Sequence, residues 1–190
     1  MRRIAPDAVI LFEDETTLHW FPPLRCRWSQ RGEQAKVRIT GRNAQRVLFG
    51  TINPQTGHRV VLRRMRSRQE DFRAVLQLLR QRYGNRPLYL LLDRAPCHEA
   101  AKSQALAARL EIALVWLPKQ CSELNAMDHL WRFVKKDVSA NWQWSTVDEH
   151  ADQAERWVLG LSNREALRQA GILSGDFRLR NLWENFWLPT

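Results

Sequence analysis

The stretch Leu88-Tyr89-Leu90-Leu91-Leu92-Asp93-Arg94-Ala95-Pro96-Cys97-His98 decides how this chain is read. Its first five residues offer no polar face, so a strand made of them is covered on both sides. That is the habit of a strand inside a layered α/β sheet. Asp93 ends the run, and Ala95-Pro96 turns the chain toward an Ala-rich helix over residues 99–110. Upstream, Ala8-Val9-Ile10-Leu11-Phe12 is a second buried strand that runs into Glu13-Asp14-Glu15. Downstream, residues 112–117 form the next strand, closed by Pro118. Asn125 then caps a helix over 126–138 with Leu130, Trp131 and Val134 on one side.

Between the first two strands, apolar runs at 47–52 and 59–62 flank Asn53-Pro54-Gln55-Thr56-Gly57, which predicts a hairpin. Ser67, with Glu70 three residues on, is a capping-box pattern opening a helix. Phe72, Val75, Leu76 and Leu79 line one face of it, and Gly84-Asn85 stops it. Residues 21–44 read as loop and short edge strands. Further helices are expected over 147–161 and 162–170, and Trp183, Phe186 and Trp187 mark a docking tail. The order is strand, hairpin, helix, strand, helix, strand, helix: an α/β fold with a mixed β-sheet flanked by α-helices. Residues 1–160 are read as this domain and 161–190 as a C-terminal helical tail packed on or extending from it.

At 190 residues, 44% hydrophobic and 26% charged, the chain has the composition of a globular protein that buries a core without staples. No apolar run approaches the ~18 residues of a membrane span. Met1-Arg2-Arg3 resembles the start of a signal peptide, but the apolar stretch behind it is short and ends in acids. The odd number of cysteines and the lack of CxxC spacing point to a reducing, cytoplasmic setting. Cys97, His98, Cys121 and His129 are conceivable zinc ligands, although their spacing matches no common structural zinc pattern.

Charge is the unusual feature. Thirty Lys and Arg against twenty Asp and Glu leave +10, which points to a polyanion. The excess is local. Residues 24–68 hold twelve cations and one acid, Glu33. A genome-wide preference explains why Arg outnumbers Lys, but not why one quarter of the chain carries the whole surplus. Phosphate contacts explain it. The candidates for contacting that polyanion are Arg25, Arg27, Arg31, Lys36, Arg38, Arg42, Arg46, Arg63 and Arg64, with Trp28 beside them. Lys135 and Lys136 either add to that polyanion-binding surface or form a solvated helix end. Trp116, Trp131 and Trp157 fall in apolar-periodic positions and are expected in the core, whereas Trp20 and Trp28 either pack or stack on bases.

The acids fall where chemistry is expected. Asp14 and Asp93 each follow a buried strand, and ligands of open α/β sheets gather at strand carboxyl ends. Asp128 lies in the first helical turn after the last strand. Carboxylates delivered to one edge repel each other unless a cation sits between them, and hard divalent cations want such oxygens. Singly, each acid has a plainer explanation: a charged loop, a turn former, a helix-capping partner. Alternation puts Glu13 and Glu15 on the face opposite Asp14, so at most one of them assists it.

Three motifs now stand in order. They are Phe12-Glu13-Asp14-Glu15-Thr16, then Leu90-Leu91-Leu92-Asp93-x-Ala95-x-x-His98, then Leu117-Pro118 followed by Glu123-Leu124-Asn125-x-x-Asp128-x-Leu130-Trp131. Together, with thirty-four residues between Asp93 and Asp128, they resemble the catalytic core of mariner-superfamily insertion-sequence transposases over about residues 8–160. The resemblance implies a ribonuclease H-like fold and a DDE/DDD triad of Asp14, Asp93 and Asp128 holding two Mg²⁺ or Mn²⁺ ions. It implies hydrolysis at transposon ends and strand transfer into target DNA, with double-stranded DNA as partner and a homodimer in the active complex. His98 would orient a carboxylate or contact the scissile phosphate, or else it caps its helix. The family carries Asn where this chain has Arg94, which sets a cation beside a metal ligand. The family also places a helix-turn-helix region before the core, so the chain reads as the catalytic half. Alternative readings are a catalytically decayed DNA-binding remnant and another ribonuclease H-like nuclease.

Overall fold

Five strands form one mixed sheet in the order β3-β2-β1-β4-β5. They are β1 (Val9–His19), β2 (Gln45–Ile52), β3 (Arg59–Arg64), β4 (Leu88–Leu92) and β5 (Ile112–Trp116). The computed structural model describes residue 5 and residues 7–174. Trp183, Phe186 and Trp187 therefore lie outside the described residues. The helices are α1 (Gln69–Tyr83), α2 (Pro96–Glu99), α3 (Ala101–Arg109), α4 (Ala126–Val134), α5 (Val147–Gly160) and α6 (Asn163–Gln169). The expected element order is the observed one.

The sheet is antiparallel across β3, β2 and β1, and parallel across β1, β4 and β5. Alternation along β1 sends Val9 and Leu11 to one core and Phe12 and Leu18 to the other. The first core also takes Phe72, Val75, Leu76 and Leu79 of α1 with Leu106 and Ala107 of α3. The second takes Leu130, Trp131 and Val134 of α4, Ala151, Ala154 and Val158 of α5, and Ala166 and Ala170. So α6 packs into the same core as α4 and α5. Trp131 is buried, and Trp116 and Trp157 pack against the two cores, as their periodicity predicts.

Several boundaries differ from expectation. The apolar run predicts a strand ending near Phe12, yet β1 continues to His19 because β2 pairs with it through Leu18–Arg46 and His19–Gln45. Only the pairing with β4 stops at Phe12–Leu91. Residues 21–44 hold no edge strand among the described residues. They are held by side chains instead: Arg25 N–H donates to Asn141 Oδ1 (2.8 Å) and Thr40 N–H to Gln143 Oε1 (2.8 Å). The cap of α1 shifts by one residue. Arg68 takes the cap position, and its N–H donates to the Asp71 carboxylate (3.1 Å). Ser67 donates to Glu15 Oε1 (3.0 Å) instead of capping. The helix expected over 99–110 divides into α2 and α3, because Ala100 leaves helical geometry at ψ 130°. After Val134 the last turn of the α4 segment widens into a π-helical turn, Lys135–Ser139.

Candidate active site

Asp14 lies on β1 two residues beyond its last pairing with β4, Phe12–Leu91, and Asp93 directly follows β4. Asp128 reaches them from the first turn of α4, and all three aspartates line one cavity of about 400 Å³.

Two hydrogen bonds fasten α4 to the backbone around Asp14. Asn125 caps α4 by accepting from Met127 N–H (3.0 Å), and its Nδ2 donates to the Glu13 carbonyl (2.8 Å). Trp131 Nε1 donates to the Asp14 carbonyl (3.2 Å). Close approach is possible because Gly50 stands opposite Asp14 in the sheet. A Cβ at Gly50 would lie 2.4 Å from the Trp131 ring and 2.5 Å from the Met127 methyl. This part of the site was not legible locally: Gly50 reads as an ordinary strand residue until α4 is laid on it.

The aspartates differ electrostatically. Burial raises the Asp14 pKa well above its usual value, and repulsion from Glu15, Asp128 and Asp93 adds to the rise. The Asp93 pKa is lowered, chiefly by the hydrogen bond from His98. Asp93 Oδ1 accepts from Ala95 N–H (2.9 Å) and lies 3.0 Å from His98 Nδ1. Asp128 Oδ2 accepts from Arg132 Nε (2.9 Å) and Nη2 (2.6 Å). Among the described residues, no side chain donates to Asp14. The arrangement is three hard oxygen donors at one opening, one of them destabilised as an anion in the absence of a counter-charge. That is a fit for a divalent cation.

His98 does more than end a motif. It is fully buried, with Asp93 on Nδ1 and Glu13 (3.2 Å) and Glu15 (3.4 Å) on Nε2. Burial alone would lower its pKa. Glu13, the hydrogen bonds to Asp93 and Cys97, and Glu15 outweigh burial and push it up to about 12. Glu13 and Glu15 do lie off the Asp14 face, as alternation predicts, but both approach the same imidazole nitrogen. The zinc set Cys97, His98, Cys121 and His129 does not assemble. Cys121 lines the aspartate cavity, and His129 Nδ1 bonds the Ala170 carbonyl (3.1 Å), because β5 and α4 carry both residues away from α2.

Arg94 lines the cavity, but its guanidinium pairs with Glu99 (3.0 Å) and lies 5.5 Å over the Trp116 ring. The basic segment divides in two. Arg46 pairs with Asp148 (2.7 Å), Arg63 with Asp152 (2.7 Å) and Glu155 (3.5 Å), and Arg64 with Asp71 (3.7 Å). Arg25, Arg27, Arg31, Lys36, Arg38 and Arg42 are exposed on the loop, and Trp28 is 99% exposed. Arg27, Lys36 and Arg38 gather around a surface groove with Trp142, a residue that sequence periodicity did not single out. Trp20 packs instead: its Nε1 donates to the Trp144 carbonyl (2.7 Å) and its ring covers Gly41. Lys135 and Lys136 are exposed on the π-helical turn. Among the described residues no helix is long and apolar enough to cross a membrane.

The profile of a protein family described as DDE superfamily endonuclease matches residues 9–150. An "Insertion element IS630 uncharacterized 39 kDa protein" of Shigella sonnei is 23% identical over 140 residues, 73% of this chain and 41% of that protein. Among solved structures, a Mos1 transposase paired-end complex with left transposon end superposes with a TM-score of 0.67 at 14% identity, covering 88% of this chain and 53% of that one. A mariner Mos1 paired-end complex with Mg gives 0.67 at 13% identity, covering 95% and 57%. The catalytic domain of Mos1 mariner transposase gives 0.60 at 11% identity, covering 95% and 84%. The fold is thus the ribonuclease H-like architecture of that catalytic domain. The chain spans 41% of the insertion-element protein and 53–57% of the transposase in its paired-end complexes.

Proposed function

Because this chain belongs to the DDE superfamily endonucleases, we propose that it is the catalytic domain of a mariner-type insertion-element transposase. It would hydrolyse phosphodiesters at transposon ends and join them to target DNA. The observation that carries this reading is the convergence of Asp14, Asp93 and Asp128, from β1, the end of β4 and the first turn of α4, on one cavity. The insertion-element relative and the transposase complexes solved with transposon ends support it, as do neighbours solved with Mn and with Mg.

The three carboxylates would hold two Mg²⁺ or Mn²⁺ ions. When bound, such a pair activates the attacking oxygen and stabilises the leaving 3′ oxygen. The chain's own part is positioning. His98 Nδ1 fixes the Asp93 carboxylate through Oδ1. Arg132 holds Asp128 through Oδ2. The Asn125 and Trp131 bonds keep α4 against the strand that carries Asp14. His98 is shut away from the opening, so its part is orienting a carboxylate rather than touching phosphate.

DNA would be held by the loop cations Arg25, Arg27, Arg31, Lys36, Arg38 and Arg42 with Trp28, and by Lys135 and Lys136. Arg46, Arg63 and Arg64 already face acids, which narrows the proposed interface to the loop and the π-helical turn. Two copies would act together, one on each transposon end. The direct test is Mn²⁺-supported nicking and strand transfer by this chain on double-stranded DNA. Activity is expected, and Asp14→Ala, Asp93→Ala and Asp128→Ala should each abolish it. Metal-independent cleavage, or cleavage that survives these changes, would overturn the reading.

A further inference from the structure

On the face of β1 opposite Asp14, three donor groups converge and a fourth, Glu13, stands beside them. Glu13 Oε2 and Glu15 Oε2 lie 3.2 Å and 3.4 Å from His98 Nε2. Cys97 Sγ lies 3.7 Å from Glu15 Oε1. Ligand atoms of Glu15, Cys97 and His98 all fall within 4.8 Å of one another. Glu13 and His98 are completely buried and Cys97 is 6% exposed.

The cluster does not satisfy itself. Both Glu13 carboxylate oxygens and Glu15 Oε2 are buried without a hydrogen-bond partner, and so is His98 Nε2. An imidazole nitrogen can serve one oxygen at a time, so two carboxylates on Nε2 leave acceptors unserved. Buried carboxylates in that condition are costly; one imidazolium offsets only one of the two charges, and a divalent ion that displaces its Nε2 proton would offset both.

The donors are one nitrogen, one sulfur and carboxylate oxygens, the set chosen by zinc-class ions rather than by magnesium. Bond lengths of about 2.0 Å to nitrogen or oxygen and about 2.3 Å to sulfur put tetrahedral ligands about 3.3–3.5 Å apart. The His98–Glu15 separation of 3.4 Å matches that value, and Cys97 Sγ lies 3.7 Å from the other Glu15 oxygen. The other imidazole nitrogen faces the Asp93 carboxylate at 3.0 Å, as metal-bound histidines characteristically face a carboxylate. The Phe72 ring, 4.4 Å from the His98 ring, closes the apolar wall.

The geometry points to a zinc-class cation site formed by Glu15, Cys97 and His98, with Glu13 beside His98 as an outer carboxylate, separate from the aspartate cavity and joined to it through His98 and Asp93. Such an ion would pin α2 to β1 and hold the Asp93 carboxylate in place. The site does not depend on the proposed transposase reading, since it needs no DNA and no reaction.

Co²⁺ alone is the probe. The chelator-treated chain should take up one Co²⁺ showing a thiolate-to-cobalt absorption band. Cys97→Ser should abolish the band, and Glu13→Gln should weaken binding about tenfold or more. The double variant Asp14→Asn, Asp128→Asn should keep both the band and the affinity, which separates this site from the aspartate cavity. If Cys97→Ser fails to fold, Glu15→Gln carries the same expectation as Glu13→Gln. Absence of a thiolate band in the folded wild-type chain, or Co²⁺ binding lost only with the aspartates, overturns the proposal.

Discussion

One guanidinium holds one oxygen: Asp128 Oδ2 accepts both Nε (2.9 Å) and Nη2 (2.6 Å) of Arg132, one helical turn away on α4. Arg132 Nη2 also reaches Ser122 Oγ (3.2 Å), which ties the loop before α4 to the same carboxylate. The pair orients Asp128 and at the same time competes with any cation for it. Arg132 is 56% exposed, so solvent screens the competition and its size is modest. Arg132→Gln is expected to tighten Mn²⁺ binding about two- to fivefold, read by calorimetric titration. Weaker binding would show that orientation outweighs competition.

Asp14 links metal binding to stability. Its folded pKa is raised, first by burial and then by neighbouring carboxylates. The native state therefore keeps a proton that the unfolded chain has released. This contribution to stability is full below the unfolded pKa and is lost as pH rises through the folded one. Metal-free Asp14→Asn should melt higher than wild type at neutral pH. The rise in Tm caused by Mn²⁺ should be larger at about pH 8 than at about pH 6 in wild type, and absent in the variant. An Mn²⁺ shift that persists in Asp14→Asn would remove Asp14 from the metal site.

His150 works in the opposite direction. It is buried, its Nδ1–H donates to the His19 carbonyl (3.1 Å), and its Nε2 accepts from Ser139 Oγ (2.7 Å). Burial lowers its pKa. The unfolded chain then binds the proton more readily, so the contribution is present above the ordinary histidine value of about 6.5 and is lost as pH falls below it. Thermal melts should show Tm falling between about pH 7 and pH 5, with a flatter profile in His150→Gln. Equal slopes in both proteins would contradict this.

Gly50 is the position that lets α4 touch the sheet. A methyl group there meets Trp131 and Met127 well inside contact distance, and Trp131 is fully buried and cannot swing away. Gly50→Ala should cost about 1–3 kcal/mol in a denaturant melt and lower metal-dependent activity by displacing Asp128. A variant as stable as wild type would mean that α4 shifts freely.

Salt dependence separates the two groups of basic residues. Replacing Arg27, Lys36 or Arg38 by Ala should each lower the slope of log K against log salt for DNA by about 1. Replacing Arg46 or Arg63, which face acids of α5, should leave the slope unchanged and cost stability of about 1 kcal/mol or less. Equal slope changes for both groups would return Arg46 and Arg63 to the DNA surface.

Much was legible in sequence because local patterns carried it. The apolar runs at Leu88–Leu92 and Ile112–Trp116, the hairpin turn at Asn53–Gly57 and the Asn125 cap are short-range signals, and all produced the expected elements, although β5 at the sheet edge leaves Ala113 and Val115 exposed. Asp14, Asp93 and Asp128 stood out because each follows such an element at a fixed offset. What stayed hidden depends on partners far along the chain. Pairing with β2 extends β1 past Asp14. Acids of α5 meet Arg46 and Arg63 of the hairpin across about a hundred residues.

The sequence by itself determined the element order, the two apolar faces of the sheet and the three aspartates at their junctions. It did so because periodicity, caps and turns act over a few residues. Only the tertiary structure decided which cations pair with acids and which stay exposed on the loop, that Gly50 admits α4, and that Glu13, Glu15 and Cys97 surround His98. Those outcomes depend on which faces pack together, and packing is decided by the whole chain at once.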